Sequence, residues 1–245
     1  MSMKIAGRNA LVTGGAHRIG KAVTLKLAEV GANVFIHCNR SIALAEETKA
    51  LAKSHGVNVA MGSMDLSDPR TGVALIEHAT NALGPISILV NNASSFPEDR
   101  LQDVSFDQFR ATQDLTLSAP VFLTQAFAEA LPHNFEGSVV NVTDVKTATP
   151  NLKHFSYIVA KGGLNAFTYA AALALAPTIR VNAVALGVIL PPSDQGADYA
   201  EKLGLQVPMG RSGGTAPVAE AVLSLIENDY ITGEIVRIDG GGHLV

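Results

Sequence analysis

Short apolar runs alternate along this chain with longer segments of helical periodicity, and this alternation constrains the fold more than any other feature. Most of the runs are continuously apolar, which is typical of parallel strands covered by helices on both faces. The alternation predicts an α/β fold, a doubly wound parallel sheet of about seven strands between helix layers. We predict strands at 10–13, 33–38, 57–61, 86–91, 138–143, 180–185 and 234–238, and helices at 18–30, 41–55, 69–83, 105–131, 156–176 and 216–228.

The chain shows no composition shift, low-complexity tract or repeat that would mark a second domain, so residues 1–245 are expected to form one domain. Its one irregular region, about 187–215, is rich in Gly and Pro. A connection of that length inside a compact domain is usually a lid or a binding loop, and we expect it to be the substrate loop. Ligands of open parallel sheets bind beyond the carboxyl ends of the strands, where the motifs described next are found.

Charge and side-chain composition exclude several function classes. The formal net charge is −4 at pH 7 and no basic run is present, so we expect neither a nucleic-acid partner nor a membrane partner. Cys38 is the single cysteine and the seven histidines lack zinc-ligand spacing, so no metal site is expected. The chain begins without a signal-peptide pattern, and Pro177 and Arg180 interrupt its most apolar stretch, so a cytoplasmic location is expected.

The string TGGAHRIG, residues 13–20, leads from the first predicted strand into the first predicted helix. Glycines permit the tight turn and let the helix amino terminus approach a pyrophosphate, which the free N–H groups and the helix dipole stabilise. At the start of a β–α unit this pattern predicts a dinucleotide site on a Rossmann-type domain. The candidate cofactor-binding residues of the turn are Gly14, His17, Arg18, Ile19 and Gly20.

The end of the second strand indicates which dinucleotide binds. An NAD site usually has an Asp or Glu there that bonds the ribose 2′-hydroxyl, but no carboxylate occurs here before Glu46. Arg40, together with Arg18 from the Gly-rich turn, would attract a 2′-phosphate, which a carboxylate would repel. We therefore expect NADP(H) as cofactor; the alternative is that both arginines are ordinary surface cations. The candidate contacts at this strand end are His37, Asn39, Arg40 and Ser41.

Tyr157 and Lys161 are four residues apart on a predicted helix and therefore share one face. A nearby ammonium favours the phenolate, so we expect Lys161 to lower the pKa of Tyr157 toward working pH and make it a general acid–base group. Asp144 stands thirteen residues before Tyr157, at the carboxyl end of a predicted strand. These three are the candidate catalytic residues. The alternatives are a solvated helix face for the Tyr–Lys pair and a backbone-bonded carboxylate for Asp144.

These motifs, in this order, resemble the classical short-chain dehydrogenase/reductase family over nearly the whole chain. Further matching strings are Asp65-Leu66, Asn91-Asn92-Ala93, Arg180-Val181-Asn182 and a final TGEIVRIDGG. The resemblance implies that Tyr157 donates a proton, that Lys161 holds the nicotinamide ribose and tunes the Tyr, and that the protein is a homotetramer. It also implies contacts of Asp65 and Leu66 with the adenine. The remaining cofactor-binding residues that it implies are Asn92, Ala93, Ser94, Gly187, Val188 and Ile189.

Three departures from the general family pattern occur together: Asp144 replaces the usual Ser, and Arg18 and Ser94 each replace a Gly. All three are typical of the pteridine reductase branch, and the ending DGGGHLV resembles the bacterial dihydromonapterin reductase type. This resemblance implies NADPH-dependent reduction of a dihydropteridine C=N bond, such as that of dihydrobiopterin or dihydromonapterin. Phe96 would stack on the pterin, and Ser94 would bond the pterin or a cofactor phosphate. The candidate substrate-binding residues are Ser94, Phe96, Asp144 and Tyr157.

The sequence leaves other interpretations open. Phe96 would otherwise pack against the sheet, and His154 is expected to be exposed at a helix start. Thr116 stands where the family commonly has a water-holding Asn, and Leu186 where it usually has Pro. The Ala-rich stretch 170–176 would permit packing between subunits or face the sheet of a monomer. A ketone or 3-oxoacyl reductase is the second hypothesis, and a low-turnover NADPH-binding regulatory protein is the third, favoured by Thr116 alone.

Overall fold

The parallel sheet expected from the apolar runs is present. The computed structural model describes residues 3–191 and 197–245. The strands are β1 (Asn9–Val12), β2 (Asn33–Cys38), β3 (Val59–Ser63), β4 (Ile88–Asn91), β5 (Gly137–Asp144), β6 (Ile179–Leu186) and β7 (Ile235–Ile238). They are all parallel, in the spatial order β3-β2-β1-β4-β5-β6-β7. The winding direction reverses between β1 and β4, and a doubly wound sheet binds its ligands at that point.

The helices lie between the strands as their periodicity predicted. They are α1 (Arg18–Glu29), α2 (Ile42–Lys53), α3 (Gly72–Leu83), α4 (Phe106–Gln113), α5 (Ala119–Ala130), α6 (Phe155–Leu175), α7 (Ala197–Gly204) and α8 (Ala216–Glu227). The helix predicted at 105–131 consists of α4 and α5, joined by a π-helical turn at Asp114–Ser118. The region 187–215, predicted to be irregular, contains α7; its residues 192–196 lie outside the described part of the chain.

The core consists of two apolar layers, one on each face of the sheet. Successive residues of β1 alternate between them, with Ala10 and Val12 in one layer and Leu11 in the other. Helices α1, α2 and α8 complete the first layer, and α3, α5 and α6 complete the second. Burying one large aliphatic side chain stabilises the fold by about 1.5–3 kcal/mol. Both faces of the strands therefore need apolar residues, which explains their continuous apolar runs.

A chain of buried polar side chains joins β4 and β5 to α6. The Asn91 amide nitrogen donates to the Asn141 amide oxygen at 2.9 Å, and the Asn141 nitrogen donates to the Thr168 hydroxyl at 3.0 Å. All three side chains are buried. Buried polar groups without partners are costly, so this network favours one position of α6 on the sheet. It thereby sets the position of the Tyr and Lys that α6 carries.

Among the described residues, α6 is the one helix whose length and apolar composition would suit a membrane span. In the fold it packs against β5 and β6. Tyr157, Lys161 and Leu164 are all buried on its sheet-facing side. A helix that covers a sheet in this way needs an apolar stripe for the core, so its composition alone does not indicate a span.

Candidate active site

The Gly-rich turn between β1 and α1 is packed too closely for side chains. A Cβ atom at Gly20 would lie 2.0 Å from the carbonyl oxygen of Gly14, and Gly14 has a φ of +62°. Asn92 closes the turn from the end of β4, because its amide nitrogen donates to the carbonyl oxygens of Thr13 (2.9 Å) and Gly14 (3.2 Å). A bare turn at the start of a helix lets a phosphate approach the free N–H groups of the first helical turn.

The remaining predicted residues of this turn have different environments. His17 is exposed just before α1, and Ile19 is partly buried against the first core layer. Arg18 has a φ of 54°, and its Nη2 donates to the carbonyl oxygen of Pro191 at 2.6 Å. Arg18 thus joins the Gly-rich turn to the segment after β6. A contact of Arg18 with the 2′-phosphate of the cofactor stays a prediction.

His37 on β2 holds the Gly-rich turn in place. Its Nδ1 accepts from the Gly14 N–H at 3.2 Å, so Nε2 carries the hydrogen and donates to the carbonyl oxygen of Met64 at 2.9 Å. Burial lowers the pKa of His37, which agrees with this neutral ring. Because both ring nitrogens have partners inside the fold, His37 positions the turn and has no hydrogen bond left for a cofactor. A direct contact of His37 with the cofactor stays a prediction.

The end of β2 presents an exposed cation. Asp65, after β3, accepts a hydrogen bond from the Ser67 N–H at 2.9 Å. This bond is the largest cause that holds the pKa of Asp65 below its usual range, and the positive charge of Arg40 adds a weaker effect in the same direction. Arg40 and Asp65 therefore lie near each other at this edge of the sheet. The side chain of Leu66 is buried in the second core layer. The other two predicted residues of this strand end are Asn39, which is exposed, and Ser41, which is half-buried.

The ends of β1 and β4 are joined by one hydroxyl. The Thr13 Oγ1 accepts hydrogen bonds from the N–H groups of Asn92 (2.9 Å) and Ala93 (3.0 Å). These two strands flank the point where the winding of the sheet reverses, so their ends form the floor of the crevice there. Ser94 follows directly and is exposed.

The backbone after β6 packs closely on the end of β7. A Cβ atom at Gly187 would lie 2.6 Å from the Cβ of Asp239, so only glycine fits there. The carbonyl oxygens of Val188 and Ile189 accept hydrogen bonds from the N–H groups of 213–214, at 2.8 and 3.1 Å. The beginning and the end of the region 187–215 therefore meet beside the sheet, close to the crevice.

Leu186, found where the family usually has Pro, is the last residue of β6. It is paired with Asp144 on β5 and with Ile238 on β7. A Pro would have no N–H to donate at this position. The replacement therefore leaves β6 fully compatible with the sheet up to Gly187.

The three candidate catalytic residues meet at the end of β5. The Tyr157 phenol donates to Asp144 Oδ2 at 2.9 Å. The Lys161 Nζ lies 5.6 Å from the centre of the Tyr157 ring and donates to the carbonyl oxygen of Val142 at 2.6 Å. Tyr157 is 8% exposed and Lys161 is 2% exposed, so bulk water has little access to either group. The spacing in the sequence predicted this cluster, and the side chains do converge.

Burial is the largest cause of the altered acidity of all three groups. It raises the pKa of Asp144, and together with the Asp144 charge it raises the pKa of Tyr157 well above its usual value. It lowers the pKa of Lys161 to about 8. The predicted lowering of the Tyr157 pKa by Lys161 is therefore wrong for this structure, because burial and then the facing Asp144 carboxyl both raise this pKa. Tyr157 is held as a neutral phenol, the form that can donate a proton.

A 3-10 turn at Val145–Thr147 orients the Asp144 carboxyl. Its Oδ1 accepts from the Lys146 N–H at 2.8 Å. The Thr147 hydroxyl donates to the Asp144 carbonyl oxygen at 2.8 Å and accepts from the Asn165 amide of α6 at 2.9 Å. Asn165 and Thr147 were not identified from the sequence. Asn165 lies four residues after Lys161, which places it on the same face of the helix.

Phe96 lies beside the catalytic phenol. Its ring meets the Tyr157 ring at 90° with centroids 4.7 Å apart, and it stacks on His154 with centroids 3.8 Å apart. Ser94 and Thr116 have their hydroxyls 3.3 Å apart. Phe96 is 45% exposed, so it is not packed into the core as the alternative interpretation required. His154, expected in solvent, instead forms part of an aromatic cluster next to Tyr157.

Known proteins resemble this chain over nearly its full length. Residues 14–243 match the family model described as enoyl-(acyl carrier protein) reductase. The 3-oxoacyl-(acyl-carrier-protein) reductase FabG of Aquifex aeolicus is 33% identical, with 98% of this chain and 99% of that protein covered. Two solved structures, of FolM alternative dihydrofolate reductase 1 from Brucella canis and Brucella suis with NADP, are 37% identical. Their TM-scores are 0.93 and 0.94, over 99% of this chain and 96% and 97% of theirs. With its parallel sheet, Gly-rich turn and Tyr–Lys pair, the chain belongs to the short-chain dehydrogenase/reductase family.

Proposed function

We propose that this oxidoreductase uses NADPH to reduce the C=N bond of a dihydropterin. The observation that carries the proposal is the direct hydrogen bond between the buried Tyr157 phenol and the Asp144 carboxyl, 2.9 Å long, with the Phe96 ring beside it. A ring nitrogen must gain a proton as the neighbouring carbon gains a hydride, so the site needs a proton donor. It also needs a flat apolar surface for the heterocycle.

The residues of the crevice fit NADPH. The closely packed turn around Gly20 leaves room for a pyrophosphate at the start of α1. Arg40 is an exposed cation at the end of β2, where an NAD site would have a carboxylate. Lys161 lies at the centre of the site and would hold the nicotinamide ribose, with 187–189 beside it. When bound, NADPH supplies the hydride. The two FolM structures were solved with NADP, which supports the same choice here.

The proton would come from Tyr157 and be replaced through Asp144. When Asp144 is ionised, the phenol hydrogen points to its Oδ2 and is not available to a substrate. When Asp144 is protonated, it donates to the phenol oxygen and frees the phenol hydrogen for the substrate nitrogen. Burial raises the pKa of Asp144 and so favours this second form. The Lys161 ammonium would stabilise the negative charge that develops on the phenol oxygen.

A 3-oxoacyl reductase is the second candidate, because the FabG relative covers 98% of this chain. Asp144 speaks against it: a carbonyl reductase of this family commonly has a neutral Ser hydroxyl beside the Tyr. The exposed ring of Phe96 next to the phenol also suits a flat heterocycle better than a flexible acyl chain.

Following NADPH absorbance with dihydrobiopterin, dihydromonapterin and a 3-oxoacyl thioester tests the proposal. We expect kcat/KM to be about a hundredfold higher for a dihydropterin than for the thioester. Charge-assisted bonds to the 2′-phosphate should favour NADPH over NADH by about tenfold or more. The opposite substrate ranking would replace the proposal with the second candidate. No turnover of any substrate would favour a regulatory NADPH-binding protein.

Asp144→Asn should change the pH dependence of turnover. In the wild type, the active form has Asp144 protonated, so kcat should fall as pH rises through the raised pKa of this carboxyl. The variant has no group to titrate there and cannot replace the proton. We expect its kcat at acidic pH to be about a hundredfold lower and nearly independent of pH in this range. A pH profile of kcat that kept the wild-type shape would contradict the relay.

Asp144→Asn should not lose stability, so a lower kcat of this variant would come from the lost proton relay and not from a disturbed fold. The folded-state pKa of Asp144 is above its unfolded value. The contribution of Asp144 to the free energy of unfolding is therefore complete below about pH 4, where the carboxyl is protonated. It is lost as pH rises through the folded-state pKa. Asn carries no charge to bury, so the Tm of Asp144→Asn at neutral pH should equal or exceed that of the wild type. A large fall in Tm would mean that the carboxylate stabilises the fold.

We also propose a cytoplasmic homotetramer. In the Ala-rich stretch 170–176, Ala171 and Ala172 are buried against the core, so this stretch has one side that faces the core and one that faces outward. The larger side chains of Tyr169 and Leu173, four residues apart on α6 and so on one face of it, are 54% and 85% exposed. Exposed apolar side chains that share a helix face are typical of subunit contacts. Light scattering should give about four times the chain mass of 25.5 kDa; the mass of a single chain would contradict the tetramer.

A further inference from the structure

The segment 96–99, after β4, is attached to residues 153–156 at the start of α6. Asp99 is 4% exposed, and its carboxylate accepts hydrogen bonds from both the N–H and the hydroxyl of Ser156, with 3.1 Å between Oδ1 and that nitrogen. Bonds to an ionised acceptor are stronger than neutral ones. The segment that carries the aromatic wall is therefore held against the helix that carries the catalytic phenol.

His154 is the aromatic residue at this junction. Its ring is stacked on Phe96, with centroids 3.8 Å apart and planes at 18°. Its Nδ1 lies 2.8 Å from the carbonyl oxygen of Pro97. Because a carbonyl oxygen only accepts, Nδ1 carries a hydrogen and donates it. In the part of the chain that the structure describes, the His154 side chain makes no further hydrogen bond, so these two contacts fix the ring.

The backbone of His154 supports a specific role for this residue. Its φ of 60° and ψ of 38° lie in the left-handed region, which residues with a side chain rarely adopt. His, Asn and Asp tolerate this region better than most residues. Such conformations persist where the surroundings impose them, and they occur often at functional sites. Here the conformation places the imidazole on the Phe96 ring.

The geometry points to His154 as a positioning residue that selects flat substrates: its imidazole holds Phe96 as a fixed wall on which the heterocycle stacks. This inference rests on the proposed function. His154 covers one face of the Phe96 ring and Tyr157 contacts it at 90°, while 45% of Phe96 stays exposed. The Phe96 ring is thus held by two aromatic contacts and stays partly accessible. A surface that is ordered before binding loses less conformational freedom on binding, which improves affinity.

His154→Asn removes the imidazole but keeps a residue type that tolerates the left-handed backbone. Without the ring behind Phe96, KM for a dihydropterin should rise about fivefold. The wall contributes equally to substrate and transition-state binding, so kcat should stay within about twofold, and the Kd of NADPH should not change.

Leu152→Asn is the matched control, because this side chain is 86% exposed and lies two residues before His154. It should leave KM, kcat and the Kd of NADPH unchanged. A KM within twofold of the wild type in His154→Asn would overturn the inference. An equal loss of NADPH affinity in His154→Asn would also overturn it, since that would indicate a general disturbance.

A second measurement needs no turnover and so separates this inference from the proposed function. The sequence contains no Trp, so Phe96→Trp introduces a single fluorescent indole at the wall. Its anisotropy should be higher, and its quenching by acrylamide weaker, in Phe96→Trp than in the Phe96→Trp/His154→Asn double variant. Equal values would end the positioning role even if dihydropterins are reduced. A clear difference without pterin turnover would leave the positioning role intact and remove only the proposed function.

Discussion

Replacing Tyr157 with Phe is expected to lower kcat about a thousandfold, because the phenol bonded to Asp144 is the proton donor of the proposed reaction. The substitution keeps the ring, and with it the contact to Phe96 at 4.7 Å. The KM for a dihydropterin and the Kd of NADPH should therefore stay within about threefold. Single-turnover oxidation of NADPH at saturating dihydropterin measures the chemical step directly.

Tyr230→Phe provides the control for this substitution. Its side chain is 97% exposed, so loss of its hydroxyl should leave kcat unchanged. Circular dichroism and Tm measurements should show that Tyr157→Phe is folded, with a modest loss of stability from the unpaired Asp144 oxygen. If Tyr157→Phe keeps more than about a tenth of the wild-type kcat, the assignment of the proton donor is wrong.

Gly20→Ala should abolish tight NADPH binding. The new methyl would lie 2.0 Å from the Gly14 carbonyl oxygen and 2.7 Å from the Asn92 amide nitrogen, well inside van der Waals contact. Both neighbours are fixed, because that amide bonds the turn. The turn must open, which moves the start of α1 away from the pyrophosphate position. We expect the Kd of NADPH to rise about a hundredfold or more, together with a lower Tm.

Gly162→Ala tests whether these effects come from lost space or from any glycine replacement. A Cβ at Gly162 in α6 meets no atom within 4 Å, so the change should raise stability by about 0.5–1 kcal/mol, the helix preference of Ala over Gly. Titration of NADPH should give the wild-type Kd. If Gly20→Ala bound NADPH as tightly as Gly162→Ala, the account of the Gly-rich turn would be refuted.

Most of the fold could be predicted because buried parallel strands need continuous apolar runs. The strand on residues 33–38 was predicted with its observed bounds, and the other six differ by at most two residues at either end. α7 was missed because it is only eight residues long and lies in a Gly- and Pro-rich region. The π-helical turn at Asp114–Ser118 was missed because it follows from tertiary packing around buried Thr116 and leaves the helical periodicity almost unchanged.

The composition of the site was predictable where chain spacing determines geometry. Tyr157 and Lys161 share a helix face, and Asp144 meets them because α6 packs back against β5, the strand that ends at Asp144. Partners distant in the sequence were not predictable. Arg18 bonds Pro191, 173 residues away, and its spacing gives no indication of this contact.

Acidity was the property that the sequence predicted least well. A Tyr–Lys pair favours the phenolate only if charge dominates over desolvation. Burial and the Asp144 carboxyl reverse the result for Tyr157, and the depth of burial depends on the whole fold. In the same way, the position of His37 at a strand end did not indicate the two hydrogen bonds by which this buried ring supports the Gly-rich turn.

The most direct test of the reductase proposal follows the hydride itself. NADPH deuterated at C4 of the nicotinamide, in both stereochemical forms, is incubated with the enzyme and a dihydropterin, and the product is analysed by mass spectrometry. One of the two forms should transfer a single deuterium to the tetrahydropterin, and Tyr157→Phe should give almost no labelled product. A reduced pterin without deuterium from either form, or no reduced pterin at all, would contradict the proposal.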